Sequence, residues 1–375
     1  MARVRDDTTA QQEQLSCLTL LRIPQLGPSA FRCLNARLAS PLEIFDAGRR
    51  QLEALGLSEA AIAAILAPDW RGAEADLEWL HDSGGRLITW NAPEYPPLLK
   101  QIPDPPPGLF VQGRAELLTS PQIAVVGSRK PSPAGRRHAR QFGADLGRGG
   151  ITVTSGLAAG IDSQAHEGAL EAGAPTLAVF GCGLRTVYPR GNRRLAANIA
   201  AAGALVSEFP PAAPPLAANF PRRNRLISGL ALGVLVVEAA TRSGSLITAR
   251  LALEQGREVF AVPGSIHNPV ARGCHALIRE GAKLTETIED ILEEVAPLAA
   301  AAGAVVRAAP TPLRDGAGLD GAAKLLLDNI GDAPITVDSL INLTLLPVDE
   351  ISAALLNLEL LGLIETVPGG AYVRR

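Results

Sequence analysis

Seven short, continuous apolar runs punctuate the middle of this chain and leave few folds open to it. They read LITW at 87–90, IAVVGS at 123–128, ITVTSG at 151–156, TLAVFG at 176–181, ALVSE at 204–208, GVLVVEA at 233–239 and EVFAVPG at 258–264. Their apolar residues are consecutive rather than alternating, as in strands buried on both faces. Helix-length segments separate most of them, and strand–helix alternation of this kind is solved by parallel strands with crossover helices. The expectation is an α/β fold, an extended Rossmann-like doubly wound sheet over 73–295, reached through a Pro-rich extended segment at 93–107.

The flanks read differently. Over 1–72, Leu15, Leu18, Leu21 and Ile23 recur at near-helical spacing. A turn at Ile23-Pro24-Gln25-Leu26-Gly27-Pro28-Ser29 and a second at Leu55-Gly56-Leu57-Ser58, with Ser58 placed to cap a helix, break the region into short helices. It is similar to SAM-like or helix-hairpin-helix domains, over a few residues. Residues 296–318, rich in Ala, Gly and Pro, read as a linker. The segment 319–375 predicts helices near 321–330, 336–342 and 347–361, then strands at 363–366 and 371–373, the winged-helix order. Its third helix carries Asp349, Glu350 and Glu359 and no basic residue. Such a face repels a phosphate backbone, so protein contact or a structural role is expected there rather than major-groove reading.

With 47% apolar and 19% charged residues over 375, the chain can bury a sizeable core. A polar opening segment, and no run near the roughly 18 apolar residues of a membrane span, predict a soluble cytoplasmic protein. Cys17, Cys33, Cys182 and Cys274 are scattered without a CxxC pair or a His cluster, so neither a disulfide framework nor a metal site is expected. The net charge of −3 conceals a strong segregation. Between 127 and 148 six basic residues face one acid, and between 185 and 225 seven face one, while 286–294 holds five acids and no base. Segregated fields of this sort concern partners rather than fold.

In doubly wound sheets ligands bind at the carboxyl ends of strands, and the unusual polar residues fall there. After 123–126 come Gly127, Ser128 and Arg129: a sharp turn, a hydroxyl and amide, and a planar fork for phosphate. Arg129 could instead pair with a carboxylate; phosphate binding is favoured. After 151–154 come Ser155, Gly156, Gly160 and Asp162, with Asp162 expected to cap the next helix and His166 to hydrogen-bond one turn on. The two glycines can cradle an anion or merely let helix pack on strand, and the motif leaves both open. Two further loops mix arginine with aromatic residues, the ingredients of a single-strand groove. One holds Arg185, Tyr188, Arg190, Asn192 and Arg193; the other holds Phe209, Phe220, Arg222, Arg223, Asn224 and Arg225. The last loop offers Arg242, Ser243, Gly244 and Ser245, a helix start.

Several enzyme signatures are missing: no GxxxxGK[ST], no GxGxxG after the first clear strand, no HExxH and no GxSxG. Asp162, His166 and Glu238 could be assembled into a hydrolytic site. A capping Asp, and a carboxylate at 238 tethering Arg222 or Arg225, are simpler.

Taken in order, VGSR (126–129), SGLAAGIDSQAH (155–166), YPRGN (188–192), SEFP (207–210), FPRRNRLISGL (220–230), VVEAATRSGSLITA (236–249), VFAVPG (259–264) and GCHALIREGA (273–282) resemble the DprA/Smf family of DNA-processing proteins. The resemblance implies a non-enzymatic recombination mediator of natural transformation. Such a protein takes no cofactor, binds and protects incoming single-stranded DNA, and loads the RecA recombinase onto it, as a homodimer formed through the Rossmann domain. The family's basic pocket carries over to Arg129, to Arg190 or Arg193, and to Arg222, Arg223 and Arg225. Two rival readings differ in class. A nucleoside monophosphate hydrolase of the lysine-decarboxylase-like group would need a Pro-Gly-Gly-x-Gly-Thr phrase, of which Pro263-Gly264-Ser265 is an incomplete relic. A winged-helix transcription regulator would prefer a particular duplex to oligo-dT.

Overall fold

A computed structural model describes residues 2–301 apart from 24–25, 28–29, 32–33, 35–36 and 38–40, and residues 321–374 apart from 332–333 and 368. Most of the expected linker, 302–318, and Pro24, Gln25, Pro28, Ser29 and Cys33 lie outside the described residues. The chain divides into two compact units, 1–309 and 310–375.

Nine strands form the sheet of the larger unit. They are β1 (Arg86–Thr89), β2 (Gly108–Gly113), β3 (Gln122–Val126), β4 (Thr152–Ser155), β5 (Thr176–Val179), β6 (Ala204–Ser207), β7 (Gly233–Val236), β8 (Glu258–Ala261) and β9 (Lys283–Leu284). Their spatial order is β1-β2-β6-β5-β4-β3-β7-β8-β9. From β6 to β9 all neighbours are parallel. The chain starts at the centre with β3, steps outward through β4, β5 and β6, then returns to β7 on the other flank of β3. That reversal is the switch point of a doubly wound sheet.

Each of the seven apolar runs holds a strand. β2 and β9 are additions: one is a short apolar stretch bracketed by glycines, the other only two residues. β1 and β2 pair antiparallel with each other, and β2 with β6, so the parallel sheet ends in an antiparallel ribbon. The Pro-rich lead-in contains a short helix, Pro97–Lys100, rather than extended chain alone.

Alternation along β3 shows why both faces are buried. Ala124 and Val126 join one core with Leu226, Ile227, Ala249 and Leu277; Ile123 and Val125 join another with Phe142, Leu146, Ala165 and Ile291. Helices Asn219–Leu230, Gly244–Glu254 and Arg272–Arg279 therefore cover one face. Helices Pro133–Arg148, Ile161–Glu171 and Ile288–Ala301 cover the other. Each fully buried Val, Leu or Ile contributes roughly 1.5–3 kcal/mol of transfer free energy.

The amino-terminal helices bind to this frame. Helix Ala2–Leu21 places Leu18 in a core with Phe110, Ala178 and Leu205, while Leu20 joins Ile44, Leu52, Ile62 and Ile65 in a separate helical core. Arg22 bridges Asp69 at 2.8 Å and Asp76 at 2.7 Å, and Ser58 caps helix Glu59–Leu66 by accepting from the Ala61 amide. Position 72, drawn above as the end of the helical domain, falls inside helix Trp70–Ser83. That helix faces both ways: Trp70 meets Phe45 at 4.7 Å, and Leu80 joins the core beneath Phe110. Position 295 likewise falls inside Ile288–Ala301.

The smaller unit has helices Gly321–Asn329, Val337–Thr344 and Val348–Leu360 and strands β10 (Ile335–Thr336), β11 (Ile364–Val367) and β12 (Ala371–Arg374), ordered β10-β12-β11. Leu326, Leu340, Ile351, Leu355, Leu358 and Ile364 form its core. This is the expected winged helix, with the two-residue β10 added. Among the described residues no single helix is long and apolar enough to cross a membrane.

Candidate nucleic-acid interface

Because β3 through β7 are five strands joined by four parallel pairings, the loops leaving their carboxyl ends rise from one rim of the sheet. At the switch point the Ser128 amide donates to the Glu238 carbonyl at 2.7 Å, tying the loop after β3 to the loop after β7. The Ile161 amide donates to the Ser128 carbonyl at 3.1 Å and brings in the loop after β4. Gly160 makes that approach possible. Its φ is +90°, and a Cβ there would overlap the Ser128 carbonyl oxygen and lie 2.8 Å from the Arg129 carbonyl carbon. Only glycine meets both demands cheaply.

Arg129 thus leaves a loop braced on two sides, with its side chain exposed. Its guanidinium carbon stands 6.0 Å from the centre of the Phe220 ring, and that of Arg223 is also 6.0 Å from it. Tyr188 joins them at 5.5 Å between ring centres and keeps an exposed surface. Gly127, Arg129, Arg223, Asn224, Ser243 and Gly244 line one cavity of about 240 Å³, together with Asp162, Phe220 and Ser245. Six residues expected from sequence are therefore brought together. Thr248 lines the same cavity and was not singled out; its place one turn beyond Gly244 on the helix is the signal that would have found it.

Asn192 reaches the rim from the short turn Arg190–Asn192, donating to the Leu157 carbonyl at 2.8 Å and to the Ser163 hydroxyl at 2.9 Å. Arg190 and Arg193 flank it and are exposed. Arg242, also exposed, precedes Ser243, which opens helix Gly244–Glu254 by accepting from the Ser245 amide at 3.3 Å. Among the described residues, Arg129, Arg190, Arg193 and Arg242 make no ion pair. Their charge is left for something outside the chain.

Behind this rim several other expected residues are buried. The Ser155 hydroxyl donates to the Val125 carbonyl at 2.6 Å. A side chain at Gly156 would overlap the Arg223 guanidinium, whose Nη1 donates to the Val179 carbonyl at 3.1 Å. Burial pulls Arg223 below its ordinary value, opposed chiefly by the charge of Asp162. Burial also presses Asp162 upward, opposed chiefly by Arg223. Contrary to the expectation from sequence, Asp162 does not cap its own helix; it accepts from the Gly156 amide at 3.1 Å and the Ala158 amide at 3.3 Å, and so shapes the preceding loop. The Thr176 hydroxyl donates to the Val153 carbonyl at 2.7 Å, so its oxygen accepts from Nδ1–H of His166, also at 2.7 Å. Burial and the nearby Arg223 charge hold His166 down at about 3, hence neutral.

Arg222 and Arg225 belong to a different arrangement. Arg225 is buried, its Nη2 against Glu208, its Nη1 donating to the Asp104 carbonyl, and its Nε 3.5 Å from the Asp104 carboxylate. Arg222 is exposed, 3.4 Å from Glu208 and 5.3 Å from the centre of the Phe209 ring, and lines a separate cavity of about 610 Å³. The carboxylate that tethers both is Glu208, not Glu238. Glu238 instead accepts from the Ser132 hydroxyl at 2.5 Å, the Ser132 amide at 2.9 Å and the Asn268 side chain at 3.2 Å. It thereby anchors the start of helix Pro133–Arg148. Among the described residues no group of three or more His, Cys, Asp or Glu could hold a metal ion.

Comparison with known proteins bears on the chain as a whole. The family described as DNA recombination-mediator protein A matches residues 86–296, and the DprA winged helix domain matches 308–370. Protein Smf of Escherichia coli is 47% identical over 325 residues, 86% of either chain. The DNA processing protein DprA of Bacillus subtilis is 44% identical over 286 residues, 74% of this chain and 94% of that one. The X-ray structure of DprA from Streptococcus pneumoniae superposes with a TM-score of 0.67 at 34% identity, covering 75% of this chain and 97% of the other. A Helicobacter pylori DNA processing protein A, whose structure concerns its single-stranded DNA binding mode, gives 0.51 at 29% identity over 56% of this chain and 95% of its own. Sheet order, the braced GSR loop, the winged helix and these likenesses lead to one assignment: the chain belongs to the DNA recombination-mediator protein A family, the DprA/Smf proteins.

Proposed function

We propose that this protein binds single-stranded DNA along the carboxyl rim of its sheet, without regard to sequence and without chemistry on the strand. In this reading it works in the cytoplasm as a homodimer formed through the Rossmann domain, protects the strand and delivers it to RecA during recombination and natural transformation. One observation carries the reading: Arg129, Arg190, Arg193 and Arg242 are exposed, free of carboxylates, and rise from the same rim as the exposed ring of Tyr188. Charge for phosphates beside a face for bases is what sequence-blind single-strand binding needs. The single-stranded DNA binding mode described for the Helicobacter pylori relative supports it. A non-catalytic role is supported by the three candidate acid–base residues, each already committed: Asp162 to loop amides, His166 to Thr176, Glu238 to Ser132 and Asn268.

The test is oligo-dT binding at several salt concentrations, beside a duplex of equal length. Three to five phosphate contacts give a log–log slope of about −2 to −3.5, roughly −0.7 per contact. Bound oligonucleotide should then speed RecA filament assembly. Tighter binding to the duplex, a flat salt response, or release of free base from nucleoside monophosphates would overturn the proposal.

A further inference from the structure

The winged-helix unit presents, where a recognition helix would stand, a surface suited to something other than nucleic acid. Val348, Ser352, Leu356 and Leu360 are successive i, i+4 positions and run up one side of helix Val348–Leu360. Val348 is 55% exposed, Leu356 59% and Leu360 79%, while Ile351, Ala354, Leu355 and Leu358 fill the core behind them. Leu345, just before the helix, is 85% exposed and sits at φ +59°, a left-handed conformation a leucine rarely adopts. Its side chain is held in water at the head of the apolar stripe.

Charge on this face has one sign. Asp349 and Glu350 open the helix, and Glu359 accepts from the Thr366 hydroxyl at 2.8 Å near its end. No Lys, Arg or His occurs anywhere from 325 to 373. An apolar stripe with an acidic border repels DNA, an anionic membrane surface, and equally the same face of a second copy.

We infer that this face docks a basic amphipathic helix of a protein partner. The stripe offers the apolar seat into which such a helix lays its leucines or their equivalents, and the carboxylates select lysine and arginine on its flanks.

The experiment uses the full chain and a fluorescent Leu/Lys amphipathic peptide of about five helical turns, followed by anisotropy at low and high salt. A scramble of the same composition without an apolar face and a Leu/Glu version serve as controls. Only the Leu/Lys helix should saturate. Leu356→Ser with Leu360→Ser should weaken it about tenfold or more, as expected for central apolar anchors. Asp349→Asn with Glu350→Gln should weaken it about threefold and flatten its salt dependence. Urea midpoints of both variants should match the parent, because the side chains changed are exposed. Equal binding of the scramble, or unchanged affinity in the apolar variant, would overturn the inference. So would self-association that the apolar variant abolishes, which would assign the face to a second copy.

Discussion

Arg129 and Arg223 stand at the same distance, 6.0 Å, from the centre of one ring, Phe220, yet one guanidinium is exposed and the other buried. The pair divides the labour of the rim. Arg223, held by the Val179 carbonyl and the charge of Asp162, sets the floor of the cavity; Arg129 projects from it into solvent.

Arg129→Ala should therefore weaken oligo-dT binding and make the log–log salt slope shallower by about 0.7, one phosphate contact. The urea unfolding midpoint should not move. Unchanged affinity would take Arg129 out of the interface.

Tyr188→Ala separates stacking from charge. Loss of an exposed ring that bases can lie on should cost about 1–3 kcal/mol of binding with the salt slope intact. A changed slope with no loss of affinity in saturating low salt would argue that Tyr188 positions Arg190 rather than touching DNA.

Arg225→Ala should act on the fold. It leaves Glu208 buried without its main partner, a change worth about 3–5 kcal/mol in comparable buried pairs. The urea midpoint should fall well below that of Arg129→Ala, and adding Glu208→Gln should recover part of the loss. An undisturbed midpoint would show that the pair is dispensable.

Gly160→Ala tests the brace under the GSR loop. The substitution meets both an unfavourable φ and the Ser128 and Arg129 backbone, so about 1–3 kcal/mol of destabilisation is expected. Oligo-dT affinity should drop as well, since Arg129 is displaced. Full affinity in a destabilised protein would uncouple loop position from binding.

His166 predicts an acid response. Its value in the fold, about 3, lies below the ordinary 6.5. Between these values the unfolded chain binds the extra proton, so stability rises with pH across the window and is lost as pH falls from 6.5 toward 3. The slope from this residue approaches about 1.4 kcal/mol per pH unit. His166→Asn retains a donor for Thr176 and should unfold with a shallower dependence between pH 6.5 and 5; an identical dependence would place the sensitivity elsewhere.

The parallel sheet was legible because strands buried on both faces cannot hide: six of the seven runs form it, whereas LITW became β1, partly exposed and antiparallel to β2. β2 was not, because Gly108 to Gly113 carries a short apolar stretch whose partner β6 lies far along the chain. The rim residues at strand ends were legible as a set, since topology alone sends Arg129, Asn192 and Ser243 to one edge. Whether an arginine there faces water was not. Arg222 and Arg225 lie within a single helical turn of Arg223, and only tertiary partners decide that Glu208 and Asp104 take up Arg225. The same holds for carboxylates: Glu238 and Glu208 both follow strands, and no spacing rule told which would hold arginine and which a helix start.

Leu18 has a consequence for anyone who trims this protein. Since it shares a floor with Phe110, Ala178 and Leu205, a cut after the first helix would not release a free-standing module. It would bare greasy ground beside the antiparallel ribbon, and the shortened chain should turn adhesive at that end while its arginine rim stayed folded.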